Sequence, residues 1–447
     1  MATYFLSQSP TIANFVLTGN QNPDVFIVDT GVASSRLRIL QSGSNVIITD
    51  GTRTATLQNF AVGQITTGQF SNNDGSVIFV GANDVGVTAD ANDNGAAFTR
   101  TTGGDLFIGL GGADTGVDGG AGNDYLVGNI GNDTFTAAAS ATAGNDTVYG
   151  GQGDDTIDYS AATSGNLLLS GNLGNDVITG GAGNDTIFGG QGNDTIVTNG
   201  GNNIVDGNLG LDNITGGAGN DTLRGGDGED VLNGGAGRNV VSGQVGDDII
   251  TGTATSNDTA FGGQGQDIIN YSALAAGEVS QLFGNLGNDS ILGGAGNDTI
   301  NGGQGNDTIT GNFGADSLTG GLGLDRFTFL FTGTAATSDS GATTATADVI
   351  TDFVTGIDRV IASVNGAVTA GTGANYIEFA DATVTSVETA LTRRDATAGA
   401  GIYTFIAGAT DGYLVIDGNN GGAGDAVITL RGLNTLAGFD SGDLQAS

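Results

Sequence analysis

The sequence predicts an all-β protein whose central half is a stack of short parallel strands. Three observations lead to this fold class. A nine-residue phrase recurs sixteen times in one frame between residues 119 and 328, glycine accounts for 84 of the 447 residues, and each phrase carries one large apolar residue at a fixed place. Repeats of this length indicate a solenoid, in which each unit packs only against its neighbours.

The composition is strongly acidic and excludes several kinds of partner. The formal net charge is −37, all 11 basic residues are Arg, and only 4 of the 48 acidic residues are Glu. Such a chain repels phosphate groups, so we expect neither nucleic acid nor anionic lipid as a partner. No apolar stretch is long enough to insert into a membrane, and the first 20 residues lack the features of a cleavable leader. Short carboxylates suit tight turns and hard cations instead.

The phrase has the frame Gly, Gly/Asn/Gln, any, Gly, any, Asp, any, apolar, any, as in GGAGNDTIF at residues 180–188. The glycines permit a tight turn with positive φ, and the last three residues alternate as a short strand does. Two phrases therefore make one coil of turn, strand, turn and strand. The eighth residue of each phrase is expected to point inward, as for Ile178, Ile187, Ile196 and Ile214.

A stack of such coils needs an additional source of stability. Burying one apolar side chain per phrase contributes about 1.5 to 3 kcal/mol, whereas ordering each backbone residue costs about 1 to 2 kcal/mol, and more for glycine. Parallel stacking also places the Asp residues of neighbouring coils about 4.8 Å apart, where like charges repel. A divalent cation between the carboxylates reverses the sign of this interaction. We therefore expect metal binding and folding to be one reaction.

The GGxGxD phrases in register resemble the calcium-binding nonapeptides of the RTX (repeats-in-toxin) family over residues 103–328. The resemblance implies a right-handed parallel β-roll with multiple Ca²⁺ ions as its cofactor. In that family, each ion lies between phrase i and phrase i+2, held by two Asp carboxylates and by carbonyl groups of the turns. Carried onto this chain, the pairs include Asp176 with Asp194 and Asp298 with Asp316. The implied metal ligands are Asp124, Asp133, Asp155, Asp176, Asp185, Asp194, Asp212, Asp221, Asp230, Asp248, Asp267, Asp289, Asp298, Asp307, Asp316 and Asp325.

The two edges of the roll differ in sequence between residues 171 and 251. One edge carries Asp throughout, whereas the other reads Asp185, Asn203, Asp221 and Asn239. If the coils stack, each site on this other edge has one carboxylate and one amide. We expect such sites to bind calcium more weakly or not at all, and simple decay of a redundant repeat accounts for the pattern equally well.

Three domains are expected along the chain. Residues 1–102 form an N-terminal β domain that caps or continues the roll, residues 103–328 form the β-roll, and residues 329–447 form a C-terminal β-rich domain. Segments 158–170 and 270–283 interrupt the roll at corresponding places of an internal duplication with an offset of 112 residues. We expect both segments to bulge from the surface, where they are candidates for lateral contacts, and the simpler interpretation of either segment alone is a neutral loop.

The C-terminal region carries further patterns. Residues 347–360, ADVITDFVTGIDRV, resemble the segment that follows the last RTX phrases, and Asp348, Asp352 and Asp358 could bind a terminal calcium or cap strands. Residues 412–432 indicate a hairpin, and residues 383–394 have apolar residues at helical spacing. The end of the chain resembles that of RTX exoproteins, which directs type I secretion without cleavage. An extracellular location, secreted or at the cell surface, is therefore expected.

The residue types leave little room for catalysis. The absence of His, Cys and Lys excludes a Ser-His-Asp triad, a His-ligated zinc, thiol nucleophiles and Schiff bases, so we expect no enzyme activity. The leading hypothesis is a secreted structural protein that folds on calcium and self-assembles, as a homo-oligomer, into an S-layer or extracellular filament. The alternative is a calcium-stabilised extracellular module that binds cell-surface polysaccharide or ice. Rows of threonine favour this alternative, for example Thr186, Thr195, Thr222, Thr299 and Thr308.

Overall fold

The computed structural model of the chain describes residues 104–109, 112–137, 144–331, 347–355, 357–364, 403–416, 426–434 and 443–445, together with the backbone of strands elsewhere. The chain forms two compact units, residues 1–218 and residues 219–447. All regular elements among the described residues are β-strands. Within this part of the chain, no helix has the length and apolar character that crossing a membrane requires.

The first unit begins with eight short strands. They are β1 (Thr3–Phe5), β2 (Ile12–Phe15), β3 (Val25–Ile27), β4 (Arg38–Ser42), β5 (Asn45–Thr49), β6 (Thr54–Leu57), β7 (Phe70–Ser71) and β8 (Val77–Val80). Strands β2, β6, β5 and β4 form one sheet, β1 pairs with β3, and β7 pairs with β8. Strand β8 pairs in parallel with β9 (Leu106–Ile108), so its backbone continues the roll that follows. The domain boundary at residue 102 stays a prediction.

The roll of the first unit consists of two parallel sheets that the chain visits in turn. After β9, its strands are β10 (Tyr125–Ile130), β11 (Thr134–Thr136), β12 (Thr147–Gln152), β13 (Thr156–Asp158), β14 (Leu168–Leu173), β15 (Val177–Thr179), β16 (Thr186–Gln191), β17 (Thr195–Val197), β18 (Ile204–Leu209) and β19 (Asn213–Thr215). The first sheet contains β9 and the even-numbered strands, and the second sheet contains β11 to β19 with odd numbers. The register places Ile187 beside Val205 and Ile178 beside Ile196.

The second unit repeats this arrangement and ends in a C-terminal addition. Its strands are β20 (Thr222–Asp227), β21 (Val231–Asn233), β22 (Val240–Val245), β23 (Ile249–Thr251), β24 (Thr259–Gln264), β25 (Ile268–Asn270), β26 (Gln281–Leu286), β27 (Ser290–Leu292), β28 (Thr299–Gln304), β29 (Thr308–Thr310), β30 (Ser317–Leu322), β31 (Arg326–Phe331), β32 (Asp348–Ile350), β33 (Arg359–Val364), β34 (Tyr376–Ala380), β35 (Tyr403–Ala407), β36 (Gly412–Ile416), β37 (Ala426–Leu430) and β38 (Leu444–Gln445). Even-numbered strands from β20 to β32 form the first sheet, and odd-numbered strands from β21 to β33, followed by β38, form the second.

The C-terminal addition extends both sheets of the second unit. Strand β37 pairs in parallel with β32, and β36 runs antiparallel to both β35 and β37. The hairpin predicted at residues 412–432 is thereby confirmed in its two strands. A separate apolar cluster fills the space beneath them, made of Ala347, Ile406, Tyr413, Val415 and Val427. The helical spacing noted at residues 383–394 lies outside the described residues.

Each sheet contributes one row of buried side chains, one per strand, to the core of the roll. The inward positions predicted from the period are confirmed, because Ile178, Ile187, Ile196 and Ile214 are completely buried. The first-sheet strands are longer than the three residues that the phrase predicts. Backbone pairing continues through the first residues of the next turn, where Gly190 faces Asn208 and Gln191 faces Leu209. Glycine is required there, since a Cβ on Gly190, at φ of 126°, would collide with the backbone of the preceding coil.

Two sequence interpretations need correction. Segments 158–170 and 270–283 were expected to bulge outward, yet their largest apolar side chains pack inside: Tyr159, Leu167, Tyr271 and Leu274 are all buried, whereas Val279 is 44% exposed. Large rings and aliphatic side chains at these places lower the free energy by leaving water. The threonine rows are also interrupted, because Thr195 lies between Val177 and Asn213, and Thr186 lies between Leu168 and Ile204.

Candidate metal sites

Aspartate residues form a continuous ladder along one edge of each roll. We call this the second edge, since each residue directly precedes a second-sheet strand. In the first unit, the backbone N–H of each ladder residue donates to Oδ1 of the Asp one coil later, at 2.7 to 2.8 Å. In the second unit, the same bonds measure 2.9 to 3.1 Å. The ladder residues are Asp114, Asp133, Asp155, Asp176, Asp194 and Asp212, then Asp230, Asp248, Asp267, Asp289, Asp307, Asp325 and Asp358.

In most of these residues, the second carboxylate oxygen is buried without a hydrogen-bond donor. This holds for Oδ2 of nine second-edge residues: Asp133, Asp155, Asp176, Asp194, Asp248, Asp267, Asp289, Asp307 and Asp325. A buried carboxylate oxygen without a donor is costly, and it is rare in stable folds unless a cation compensates it. The oxygens therefore fit a metal ion as their missing partner.

The glycine at the start of each turn faces the same space as this oxygen. A Cβ on Gly189 would collide with Oδ2 of Asp194 and would lie 2.8 Å from the carbonyl oxygen of Gly207. In the second unit, a Cβ on Gly302 would collide with Oδ2 of Asp307 and lie 2.7 Å from the carbonyl oxygen of Gly320. Carboxylate and carbonyl oxygens thus converge, and they are the hard ligands that Ca²⁺ prefers. Among the described residues no site gathers three or more His, Cys, Asp or Glu, so carbonyls would have to supply part of the coordination.

Burial disfavours the ionised form of these carboxylates when no cation is bound. It raises the pKa of Asp155 to about 8 and the pKa values of Asp194 and Asp248 to about 7. The backbone N–H of the preceding coil acts in the opposite direction, and the negative charges of neighbouring ladder residues add to the rise. A divalent cation between these buried carboxylates would therefore be stabilised more strongly than it would be by the same groups in water.

The first edge, whose residues precede the first-sheet strands, is mixed. In the first unit it reads Asp105, Asp124, Asp146, Leu167, Asp185 and Asn203, and in the second unit it reads Asp221, Asn239, Asp258, Ser280, Asp298, Asp316 and Asp348. The expected pairing of carboxylate with amide is confirmed. The N–H of Asp185 donates to Oδ1 of Asn203, and the N–H of Asp221 donates to Oδ1 of Asn239, both at 2.8 Å.

The side chain of Asn203 also occupies carbonyl groups of the turn that a cation would need as ligands. Its Nδ2 donates to the carbonyl oxygens of Gly200 and Gly201 at 3.2 Å. We therefore expect the mixed sites to hold less calcium than the all-Asp sites. Anomalous scattering from calcium in crystals grown at sub-saturating concentration measures both edges at once, and equal occupancy along Asp185 and Asn203 and along Asp176 and Asp194 would contradict the expectation.

All sixteen Asp residues predicted as ligands lie on the ladders. Asp124, Asp185, Asp221, Asp298 and Asp316 are on the first edge, and the other eleven are on the second. Their role as calcium ligands stays a prediction. Segment 347–360 was expected either to bind a terminal calcium or to cap strands. Asp348 and Asp358 continue the ladders, whereas Asp352 accepts hydrogen bonds from the N–H groups of Gly320 and Gly321.

Sequence reasoning missed several ladder residues, namely Asp105, Asp114, Asp146, Asp258 and Asp443. Asp146 and Asp258 stand in GNDTVY and SNDTAF, where the Asp-x-apolar half of the phrase persists after the glycine half has been replaced. This remaining half of the phrase was the sequence signal that could have identified Asp146 and Asp258. Asp443 had none, and its carboxylate lies 3.4 Å from Nη1 of Arg359 at the end of the second edge.

The comparisons with known proteins agree with this geometry. The family model of the RTX calcium-binding nonapeptide repeat (4 copies) matches ten segments between residues 100 and 327, several of which overlap. The chain belongs to the RTX family. Its repeats bind Ca²⁺, and the stack of buried Asp residues along the roll fits calcium-binding turns. Such repeats are typical of secreted, calcium-dependent proteins.

Other comparisons add little to this assignment. A solved structure of the extracellular lipase LipA from Serratia marcescens is 16% identical, with a TM-score of 0.17, over 64% of this chain and 41% of the lipase. Since the chain spans less than half of that protein and the TM-score is this low, the match supports no statement about activity. Comparison with curated proteins gives no significant match.

Proposed function

We propose that this RTX protein is a secreted structural protein that folds on binding calcium and assembles with copies of itself into a surface layer or extracellular filament. The observation that carries the proposal is a regular row of exposed apolar side chains at the ends of the first-sheet strands. In the first unit, Ile130, Leu173 and Leu209 alternate with Gln152 and Gln191 in adjacent strands. The second unit repeats the pattern with Val245, Leu286 and Leu322, separated by Gln264 and Gln304.

This apolar row is unusual for a surface. Leu173 and Leu209 are 40% and 45% exposed, and Leu322 is 71% exposed. Two strand spacings separate successive apolar members, about 10 Å. An isolated exposed leucine needs no explanation, but a periodic series marks an interaction surface. A partner that matches the period must be repetitive itself, and a second copy of the roll satisfies this requirement.

Calcium supplies the trigger for assembly. When bound, it neutralises the ladder carboxylates and joins successive coils, so that the sheets and the apolar row form together. Extracellular modules bind calcium at about 10⁻⁴ to 10⁻³ M, well above the concentration free in cytosol. The chain would therefore remain unfolded before export and fold outside the cell. We also propose that it has no enzyme activity, a view supported by the absence of His, Cys and Lys from its sequence.

Replacing the apolar row tests the assembly. A variant with Leu173→Gln, Leu209→Gln, Leu286→Gln and Leu322→Gln is expected to fold at the same calcium concentration as the parent protein but to form no sheets or fibres in negative-stain electron microscopy. The reason is that the row lies outside the core and that Gln already occupies the same turn position, three residues before a ladder Asp, at Gln152 and Gln191. A control with Val177→Gln and Ile249→Gln, on the second sheet, should assemble normally. Normal assembly of the fourfold variant would refute the role of the row.

A second candidate function is binding of polysaccharide along the first sheet. Three shallow grooves of about 370 to 610 Å³ have the same construction, with a glycine floor, a glutamine and an aromatic ring. The rings are Tyr149, Phe188 and Phe283. Apolar faces with a few placed amides suit sugar rings and their hydroxyl groups. Calcium-loaded protein that remains monomeric and binds a glycan array would support this candidate over assembly.

A further inference from the structure

Tyrosine replaces glycine at the start of two turns on the first edge. In most first-edge turns that lead to an Asp this residue is glycine, as for Gly119 before Asp124 and Gly293 before Asp298, and Ala137 before Asp146 is an exception. The chain has Tyr159 and Tyr271 at this place in segments 158–170 and 270–283, and the ladder residues that follow them are Leu167 and Ser280. Backbone bonds establish the equivalence: the N–H of Tyr159 donates to Thr179 in the same way that the N–H of Gly180 donates to Val197.

The tyrosine side chain enters the space that the glycines leave open. Tyr271 is completely buried, and its hydroxyl donates to Oδ2 of Asp258 at 3.0 Å. Its ring covers Gly252 of the preceding coil, where a Cβ would collide with it. Tyr159 is buried in the same way beside Asp146, although its hydroxyl makes no hydrogen bond of regular geometry. In both units, a phenol thus stands next to a first-edge carboxylate.

The carboxylate on the other side of each segment also has protein donors. Asp298 accepts hydrogen bonds from the N–H of Ser280 at Oδ1 and from the N–H of Gly294 at Oδ2. In the first unit, Asp185 accepts from the N–H groups of Leu167 and Gly181 in the same manner. At the nine second-edge residues named above, by contrast, Oδ2 is buried without a donor. The two segments therefore differ from the rest of the roll in how carboxylates are compensated.

We propose that Tyr159 and Tyr271 take the place of calcium on the first edge, so that each of these two coils is closed by a phenol and the following turn rather than by a metal ion. No other residue type does this as well. A phenol is long enough to cross the turn, its hydroxyl donates a hydrogen bond to a carboxylate, and its ring fills the space that water would otherwise enter. The inference depends on calcium binding by the repeats and not on the assembly proposed above.

The first edge would then bind two fewer calcium ions than the number of coils suggests. These two coils would be stabilised without metal, and calcium at their neighbours would extend structure from them. A hydrogen bond to a charged group is worth about 1.5 to 3 kcal/mol, which corresponds to a factor of about 10 to 100 in an equilibrium constant. Because many ions bind during folding, the same energy changes the calcium midpoint by less than about twofold.

The test combines Tyr271→Phe and Tyr159→Phe with a control, Tyr149→Phe, whose ring lies on the outward face of the first sheet. At saturating calcium, Tyr271→Phe is expected to raise the unfolding equilibrium constant by about tenfold or more, with the number of bound calcium ions unchanged. The control should alter neither quantity. An unfolding constant for Tyr271→Phe equal to that of the parent protein would overturn the proposal.

The anomalous signal of calcium in crystals of the unaltered protein gives an independent answer, even if a variant does not fold. The expected result is no calcium bound to the carboxylates of Asp146 and Asp258 in the turns that Tyr159 and Tyr271 enter, alongside clear peaks on the second edge. A calcium ion bound to Oδ2 of Asp258 would overturn the proposal, because the phenol would then assist a metal site instead of replacing one.

Discussion

Removing calcium by dialysis against EGTA at pH 7.5 is expected to unfold the roll, and acidification of the calcium-free protein to pH 4, after the chelator and its calcium have been removed, is expected to restore β structure. Burial raises the pKa of Asp155 to about 8 and the pKa values of Asp194 and Asp248 to about 7, from an ordinary value of 3.8. A pKa difference of one between the folded and unfolded chain is worth about 1.4 kcal/mol, so several such residues together outweigh an ordinary stability of about 5 to 15 kcal/mol.

The sign of this pH dependence follows from proton linkage. The folded, calcium-free roll binds more protons than the unfolded chain, because its carboxylates have the higher pKa. Its stability is therefore complete below about pH 4 and is lost as the pH rises through the range from about 6 to 8. The calcium-loaded roll should behave oppositely, since protons compete with the ion for the carboxylates. Circular dichroism from pH 3 to 9, with and without calcium, measures both curves, and a calcium-free roll that stays folded at pH 8 contradicts the expectation.

Asp155→Asn is expected to have opposite effects with and without calcium. The amide keeps an oxygen to accept the hydrogen bond from the N–H of Asp133 at 2.8 Å, but it removes the buried negative charge. With calcium, the variant should lose at least one bound ion and lose stability by about 3 kcal/mol or more, as expected when one partner of a buried charge pair is removed. Without calcium at pH 7, the same change should make the folded roll less unfavourable.

The neighbouring residue provides a matched control. Asp154 is exposed, and its Oδ1 accepts a hydrogen bond from the N–H of Asn175 at 2.8 Å. Asp154→Asn therefore repeats the chemical change in the same turn without altering a buried charge. We expect its calcium stoichiometry, from equilibrium dialysis, and its urea unfolding to match the parent protein. If both variants behave alike, the buried ladder carboxylates have no special part in binding calcium.

The periodic part of the fold could be predicted because each nonapeptide specifies its own turn and strand. One apolar residue and one Asp per phrase determine which side chains enter the core and which form the ladders, and Ile187 and Asp194 occupy the expected places. The mixed first edge was also predictable, since it follows from a period of two phrases. Local sequence is sufficient wherever a residue interacts mainly with its own copy one coil away.

The remaining features depend on contacts that have no period. In the sequence, Tyr159 and Tyr271 look like parts of surface loops. Only the packing shows that their rings are buried inside the roll. Asp352 was one of three acidic residues in one segment, yet its carboxylate accepts hydrogen bonds from the N–H groups of Gly320 and Gly321, while Asp348 and Asp358 continue the ladders. Asp443, directly before strand β38, continues the second edge from a segment with no recognisable phrase.

A single calcium titration tests the central claim that calcium between the ladder carboxylates folds the roll. Bound calcium, from equilibrium dialysis, and β structure, from circular dichroism, would be measured in the same samples at pH 7.5. The expected result is that β structure rises only as several ions bind together, and that it is complete when the second edge is filled. Full β structure before calcium binds, or calcium binding without gain of β structure, would contradict the account.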